Sequence, residues 1–162
     1  FGAFKRDVFE KIGLFNEKLL RSEDNDINAR IIANGGTIYL SEDIHSVYYC
    51  RDTIYGLLWQ GIQNGNALFR TLRINHKAMK LRHFIPFLFL VSFCVLPIMG
   101  VFVPAIRWIF FAEIISYLLI DIYYSFFSYN RIQGFITIWL YPLFHICYGI
   151  GSLLGMLGVK MY

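Results

Sequence analysis

The sequence predicts a mostly helical chain in two unlike parts. A small, charged α/β portion comes first, and an amphipathic interfacial helix and three transmembrane helices follow it. Three observations predict this. Of the 162 residues, 57% are hydrophobic and 19% aromatic, which is high even for a globular core. The charges are segregated: residues 1–83 hold twelve of the 15 Lys+Arg and nine of the 11 Asp+Glu, and only Arg107, Glu113, Asp121, Arg131 and Lys160 lie beyond. Three apolar runs, at residues 84–106, 108–129 and 134–159, are each long enough to span a ~30 Å hydrocarbon core. The parts therefore divide as residues 1–52, 53–83 and 84–162.

In the first part, "KRDVFEKIGLF" reads as a short helix with Val8, Phe9 and Ile12 on one side and Gly13 as its stop. A second helix follows Glu23, Asp24 and Asp26. Ile27, Ile31 and Ile32 give it an apolar stripe, Asp26 and Arg30 form an i, i+4 pair with the acid first, and Gly35 and Gly36 end it. "TIYL" and "IHSVYYC" read as two strands. The chain opens on Phe1 without a basic start and apolar run, so no signal peptide is expected there, and a piece of a longer protein is. About 80 soluble residues make a marginal core by themselves.

From residue 53 the pattern is amphipathic. Asp52 or Thr53 caps a helix through "IYGLLWQGIQNGNALFRTLR", and Gly56, Gly61 and Gly65 weaken it. A kinked or two-part helix at a membrane surface is expected. Arg70, Arg73, Lys77, Lys80 and Arg82 follow, with His76 and His83 among them. Such a cluster before a span marks the cytoplasmic side, and its sharper reading is binding of anionic lipid phosphates. Alternating spans then put Arg107 outside, Arg131 inside and Lys160 outside. Pro97 is placed to kink the first span and Pro104 to end it.

On the second span, Glu113, Tyr117 and Asp121 recur at i, i+4 and i+8, one stripe. An acid inside a membrane helix costs ~2.5–3.5 kcal/mol on insertion scales, so the stripe faces the bundle. His145 is the expected partner of Asp121, and Arg107 of Glu113, as structural pairs before a proton relay. Gly151 and Gly155 form a G-x-x-x-G, with Gly149 and Gly158 nearby, fit for close helix packing and for a homodimer. Cys50, Cys94 and Cys147 are far apart and read as small hydrophobes, not a disulfide framework or metal site.

Three acids in four residues at a helix start satisfy the helix dipole, but their surroundings carry more. Gly2 and Phe4, "IGLFNE", the Glu23–Asp24 pair, Asn28, Arg30, Gly35–Gly36 and "YYCRDT" together resemble the end of the catalytic domain of family-2 glycosyltransferases of the GT-A type. "WQGIQNG" is similar to the Gln-bearing segment after that domain in succinoglycan-type exopolysaccharide glycosyltransferases, and "HICYGIGSLLGML" to their last membrane helix. The resemblance implies a membrane-anchored, inverting hexosyltransferase of the cell membrane, multi-pass, with its catalytic part cytoplasmic. Asp24 would be the catalytic base and Glu23 an acceptor-binding group. Arg51 would meet a phosphate of donor or lipid acceptor, with an ion pair to Asp52 or Asp43 as the alternative. Gln60 would bind substrate, while Asp26 and Arg30 give structural support. His45 does not fall where a metal ligand of the family would align.

The same resemblance implies a nucleotide-sugar donor, a polyprenyl-linked or polysaccharide acceptor, membrane lipids and a biosynthetic complex as partners, and no nucleic acid. It also implies a divalent metal, Mg or Mn, whose Asp-x-Asp ligands belong upstream, so that no metal ligand is assigned here and this chain alone is expected to be inactive. Departures matter too. The Gln-x-x-Arg-Trp of processive synthases is replaced from Gln60 by Gln63 and Asn64, which argues for single transfers, and Cys50 stands where the group has Pro. The competing reading is a non-catalytic membrane scaffold or partner-binding remnant. A small transporter using Glu113, Asp121 and His145 lacks the internal repeat expected of one.

Overall fold

The computed structural model describes residues 2–127 and 130–161. Among them the chain forms six α-helices: α1 Arg6–Ile12, α2 Glu23–Ala33, α3 Ile54–Ile74, α4 Ile85–Phe102, α5 Pro104–Phe127 and α6 Arg131–Met156. Two 3₁₀ turns, His76–Ala78 and Leu81–Phe84, join α3 to α4. The link at residues 128–129, between α5 and α6, lies outside the described residues.

The two short helices form as their patterns predict. Phe4, Phe9 and Phe15 pack ring to ring around α1, with centroids 5.4–6.1 Å apart. Gly13 stops α1, its N–H donating to the Phe9 carbonyl. Ile27 and Ile31 are buried on α2. Asn34 caps that helix, and Gly35 takes the left-handed turn at φ 75°. With Leu19 and Ala78 they make a small core.

The predicted strands do not form. Among the described residues there is no strand, and residues 37–51 are irregular with Tyr39, Leu40 and Tyr49 about nine-tenths exposed, at 89%, 92% and 88%. A strand exists by pairing its backbone groups with a neighbour. β-branched and aromatic residues supply the preference but not the partner, so the α/β character expected of the first part is absent.

Helix α3 is continuous from Ile54 to Ile74, not in two parts. Thr53 caps it by accepting from the Gly56 N–H at 3.1 Å. The glycines expected to break it instead let it lie against α6, its main partner. A Cβ on Gly61 would stand 3.2 Å from the Phe144 ring. One on Gly65 would run into the Tyr148 carbonyl and stand 2.8 Å from the Ser152 nitrogen. From the other side, a Cβ on Gly151 or Gly155 would strike the backbone of Ile62 or Asn66. The G-x-x-x-G of α6 is thus used within the chain. Gly158, at φ 85°, serves instead to end α6.

Among the described residues two helices are long and apolar enough to cross a membrane, Leu81–Phe102 and Ile132–Met156. The first runs through Pro97, and Pro104 begins α5. Helix α5, expected as a third span, stands apart from these two and carries Arg107, Glu113 and Asp121. It packs against both with an inverted polarity. Asp121 and Ser125 are its buried residues, while Ile115, Leu119, Ile120 and Phe127 point outward.

The end of α6 lies beside the basic segment. Asn66 donates to the Val159 carbonyl at 2.9 Å, and Arg73 donates to the Met156 carbonyl. Three alternating spans put Lys160 across the membrane from Arg73. The structure brings the ends of α3 and α6 together, and α5 runs antiparallel to both α4 and α6.

Replacement of Gly65 or Gly151 by Ala should lower stability by about 1–3 kcal/mol, the size of overpacking effects, despite the ~1 kcal/mol gain in helix propensity. Gly61→Ala should cost less, because a ring edge can yield where backbone cannot. Thermal unfolding of the three variants in one detergent measures the order, and equal midpoints would contradict the close crossing.

Candidate functional site

The three acids are sorted by the fold. They occupy the first turn of α2, where free N–H groups and the helix dipole favour carboxylates. Two residues apart on a helix is about 200° of rotation, so Asp24 and Asp26 face opposite ways. Asp26 is 2% exposed. Its carboxylate accepts from Arg30 Nε and pairs with Nη2, both at 3.0 Å, and accepts from the Asn75 amide at 2.7 Å. Arg30 also donates to the carbonyls of Ile12 at 2.6 Å and Leu14 at 2.9 Å. One buried node therefore ties α1, α2 and the end of α3. Asp26 and Arg30, expected to give structural support, are bonded to one another in this node. Any field of Asp26 at Asp24 is offset by the guanidinium.

Glu23 and Asp24 are exposed. Asp24 accepts from the Asn25 N–H at 2.8 Å and is otherwise uncommitted among the described residues. Ser22, immediately before the pair, holds a left-handed conformation at φ 63° without capping the helix through its side chain. For a residue with a Cβ this costs about 1–2 kcal/mol, and such strain gathers at functional turns. It sets the direction in which Glu23 and Asp24 leave the loop.

Of the other expected site residues, neither Arg51 nor Gln60 is hydrogen-bonded to the acids. Arg51 is exposed just before the α3 cap. Among the described residues the ion pairs are Arg6–Glu10 and Arg30–Asp26, so the alternative pairing of Arg51 with Asp43 or Asp52 is not made. Gln60 is half-buried on α3. One turn further, Gln63 and Asn64 accept from Arg21, the latter at 2.7 Å. Arg21 and Asn75 were not legible as partners, since 42 and 49 residues separate them from their contacts. His45 stands exposed.

The acids do not form a ligand set for a divalent metal. Among the described residues no three His, Cys, Asp or Glu side chains gather for one, and Asp26 is already satisfied. A groove of about 500 Å³ opens at Leu14, Asn16, Asp26, Arg30, Ile74 and Asn75. It lies on the Asp26 side, and its polar groups largely bond one another.

In the helical half the expected pairs are exchanged. His145 Nδ1 is 2.9 Å from the Tyr117 hydroxyl, not paired with Asp121. Asp121 accepts from Ser125 at 3.4 Å. Glu113 accepts from Ser92 on α4, not from Arg107. Hydroxyl groups one helical turn away, or on the facing helix, reach these carboxylates at less conformational cost than a long basic side chain. The Glu113–Tyr117–Asp121 stripe does face the bundle. No family model, curated protein or solved structure matches the chain.

Asp26→Ala should destabilise the chain by about 3 kcal/mol, as loss of one member of a buried pair does, because Arg30 and Asn75 lose their acceptor together. Asp24→Ala should change stability by less than about 1 kcal/mol. Chemical denaturation of both variants measures the contrast, and similar losses would remove the distinction between a structural and a free acid.

Proposed function

We propose that the chain is the acceptor-side and membrane-anchoring part of an inverting glycosyltransferase, with Asp24 as general base. The observation that carries this reading is the division of labour among three adjacent acids. Asp26 is consumed by the fold, whereas Asp24 is left exposed next to a strained turn. The sequence resemblance to family-2 glycosyltransferases supplies the reaction class. A sugar hydroxyl is a poor nucleophile. A carboxylate that takes its proton as it attacks the anomeric carbon of a nucleotide sugar contributes typically 10²–10⁴-fold. The bond from that carbon to the diphosphate breaks as the new glycosidic bond forms, so configuration inverts and the nucleoside diphosphate leaves. Glu23 is suited to an acceptor hydroxyl and Arg51, exposed and unpaired, to a phosphate.

The acceptor is lipid-linked in this reading. Support comes from α3, which joins the acid-bearing helices to the apolar ones and exposes Ile54, Tyr55 and Trp59. Such aromatic and aliphatic side chains suit a membrane boundary. The basic residues between Arg70 and Arg82 face anionic headgroups on the cytoplasmic side. Helices α4 and α6 cross the inner or plasma membrane in the same direction, and α5 runs back between them, antiparallel to both. The donor metal is held by residues outside this chain.

Three results are expected. In the full-length enzyme Asp24→Asn should reduce turnover at least about a hundredfold with unchanged thermal stability, and near-normal transfer rejects the assignment. The 162-residue chain in detergent should show no metal-dependent heat of binding with nucleotide sugars; micromolar binding would relocate the donor site to these acids. In a background free of the native cysteines, a single cysteine at Lys77 should resist an impermeant thiol reagent in intact cells, while one at Ala105 reacts. Labelling of Lys77→Cys from outside would reverse this orientation.

A further inference from the structure

A cavity of about 260 Å³ lies between α5 and α6, lined by Tyr117, Ile120, Asp121, Tyr124, Tyr141 and His145. We propose that it binds the ammonium group of a membrane lipid, held by the Asp121 carboxylate within a cage of tyrosine rings. The proposal rests on the membrane placement given above but not on glycosyl transfer.

Asp121 is 5% exposed, and among the described residues its Oδ2 has no hydrogen-bond partner. Among the described residues its other oxygen has only the long contact from Ser125. A buried carboxylate is costly unless a cation or donors meet it, and in an apolar surround the cost is higher still. One ordered water would relieve it, but the space is several times the ~30 Å³ share of a water. Three of the six lining residues are tyrosines. Ring faces attract a cation through their quadrupole, and aromatic cages are a recurrent solution for ammonium ligands. An anion is excluded by the carboxylate. A bare metal ion is excluded by the lining, because hard cations need six or more oxygen ligands and rings and Ile120 supply few.

The position of the cavity indicates a lipid. Ile120 and Tyr124 are more than half exposed, at 58% and 55%, so the cavity opens sideways, toward the surface the apolar helices present. Tyr117 stacks on Phe89 with centroids 4.5 Å apart. Phe89 follows Arg82 by seven residues, about 10 Å of helix. The cage therefore sits just inside the polar boundary marked by the basic segment, within reach of a headgroup. The Tyr117–His145 hydrogen bond fixes the orientation of one ring.

The full 162-residue chain is reconstituted in nanodiscs containing equal amounts of ethanolamine-headgroup and glycerol-headgroup phospholipids with identical acyl chains. Lipid retained by the protein on release into the gas phase is then weighed. The ethanolamine lipid should be enriched about fivefold or more over the glycerol lipid. Asp121→Asn, which preserves shape, should abolish the preference, and Tyr124→Leu, at the exposed mouth, should weaken it. Equal enrichment in the wild type and Asp121→Asn overturns the proposal while leaving the membrane anchor intact. A chain that does not enter nanodiscs overturns the anchor instead, and titration of the detergent-solubilised chain with free ethanolamine then decides the cage. Tyrosine-ring shifts in the wild type but not in Asp121→Asn support an ammonium site filled from water, and their absence overturns the site altogether.

Discussion

The close crossing of α3 and α6 holds the two halves of the chain together. In an apolar surround helices are not driven together by the hydrophobic effect, since lipid tails are as apolar as leucine. Van der Waals contact and hydrogen bonds must do it. Gly61 and Gly65 on one helix and Gly151 and Gly155 on the other remove the side chains that would hold the backbones apart. Asn66 and Arg73 then reach the carbonyls of Val159 and Met156 at the end of α6. Those last carbonyls have no partner within the helix, so the crossing satisfies groups that apolar surroundings would penalise.

From α3 the constraint passes to the acids. Arg21 grips its polar face at Gln63 and Asn64, and Asp26 takes the amide of Asn75 just past its end. These attachments are eleven or twelve residues apart, about 17 Å of helix. Two points that far apart fix the direction of the segment between them, where one would leave it free to swing. The core under α1 and α2 is too small to do this alone. The orientation of Asp24 therefore depends on α3, and through α3 on two glycines buried against α6. A substitution at Gly65 is expected to be felt at Asp24 although the two share no contact.

Much of this was legible in the sequence because it is local. Helix stops at Gly13 and Gly35, the Thr53 cap, the Asp26–Arg30 pair and the inward stripe on α5 all depend on residues within about two helical turns. What failed was non-local. "TIYL" and "IHSVYYC" have strand composition, but pairing is a property of two segments and composition describes one. The glycines of α3 were read through propensity, which treats each helix as isolated. Their use appears only when α6 supplies a surface that a Cβ would strike. Arg21, Asn75 and Ser92 carry no distinctive spacing, and a hydroxyl or amide satisfies a carboxylate without leaving a pattern. The pairing of His145 with Tyr117 and not Asp121 is of this kind. Both lie on the predicted stripe, one turn apart, and side-chain reach decides between them.

The sorting of the acids also bears on how such a site can be built at all. Three carboxylates in one turn repel one another, and a chain gains by neutralising them. Had Arg30 reached toward Asp24, the exposed face would have been quenched and Asp26 left to face the Asn75 amide alone. The i, i+4 spacing prevents this, because four residues bring Arg30 over Asp26, whereas six carry it about 240° around the helix from Asp24. Arg30 is further held by the carbonyls of Ile12 and Leu14, so it cannot swing to the other acid without abandoning the end of α1. The same bonds that build the small core keep the guanidinium off Asp24. Stability of the acid-bearing segment and availability of its free carboxylate are thus set by one arginine.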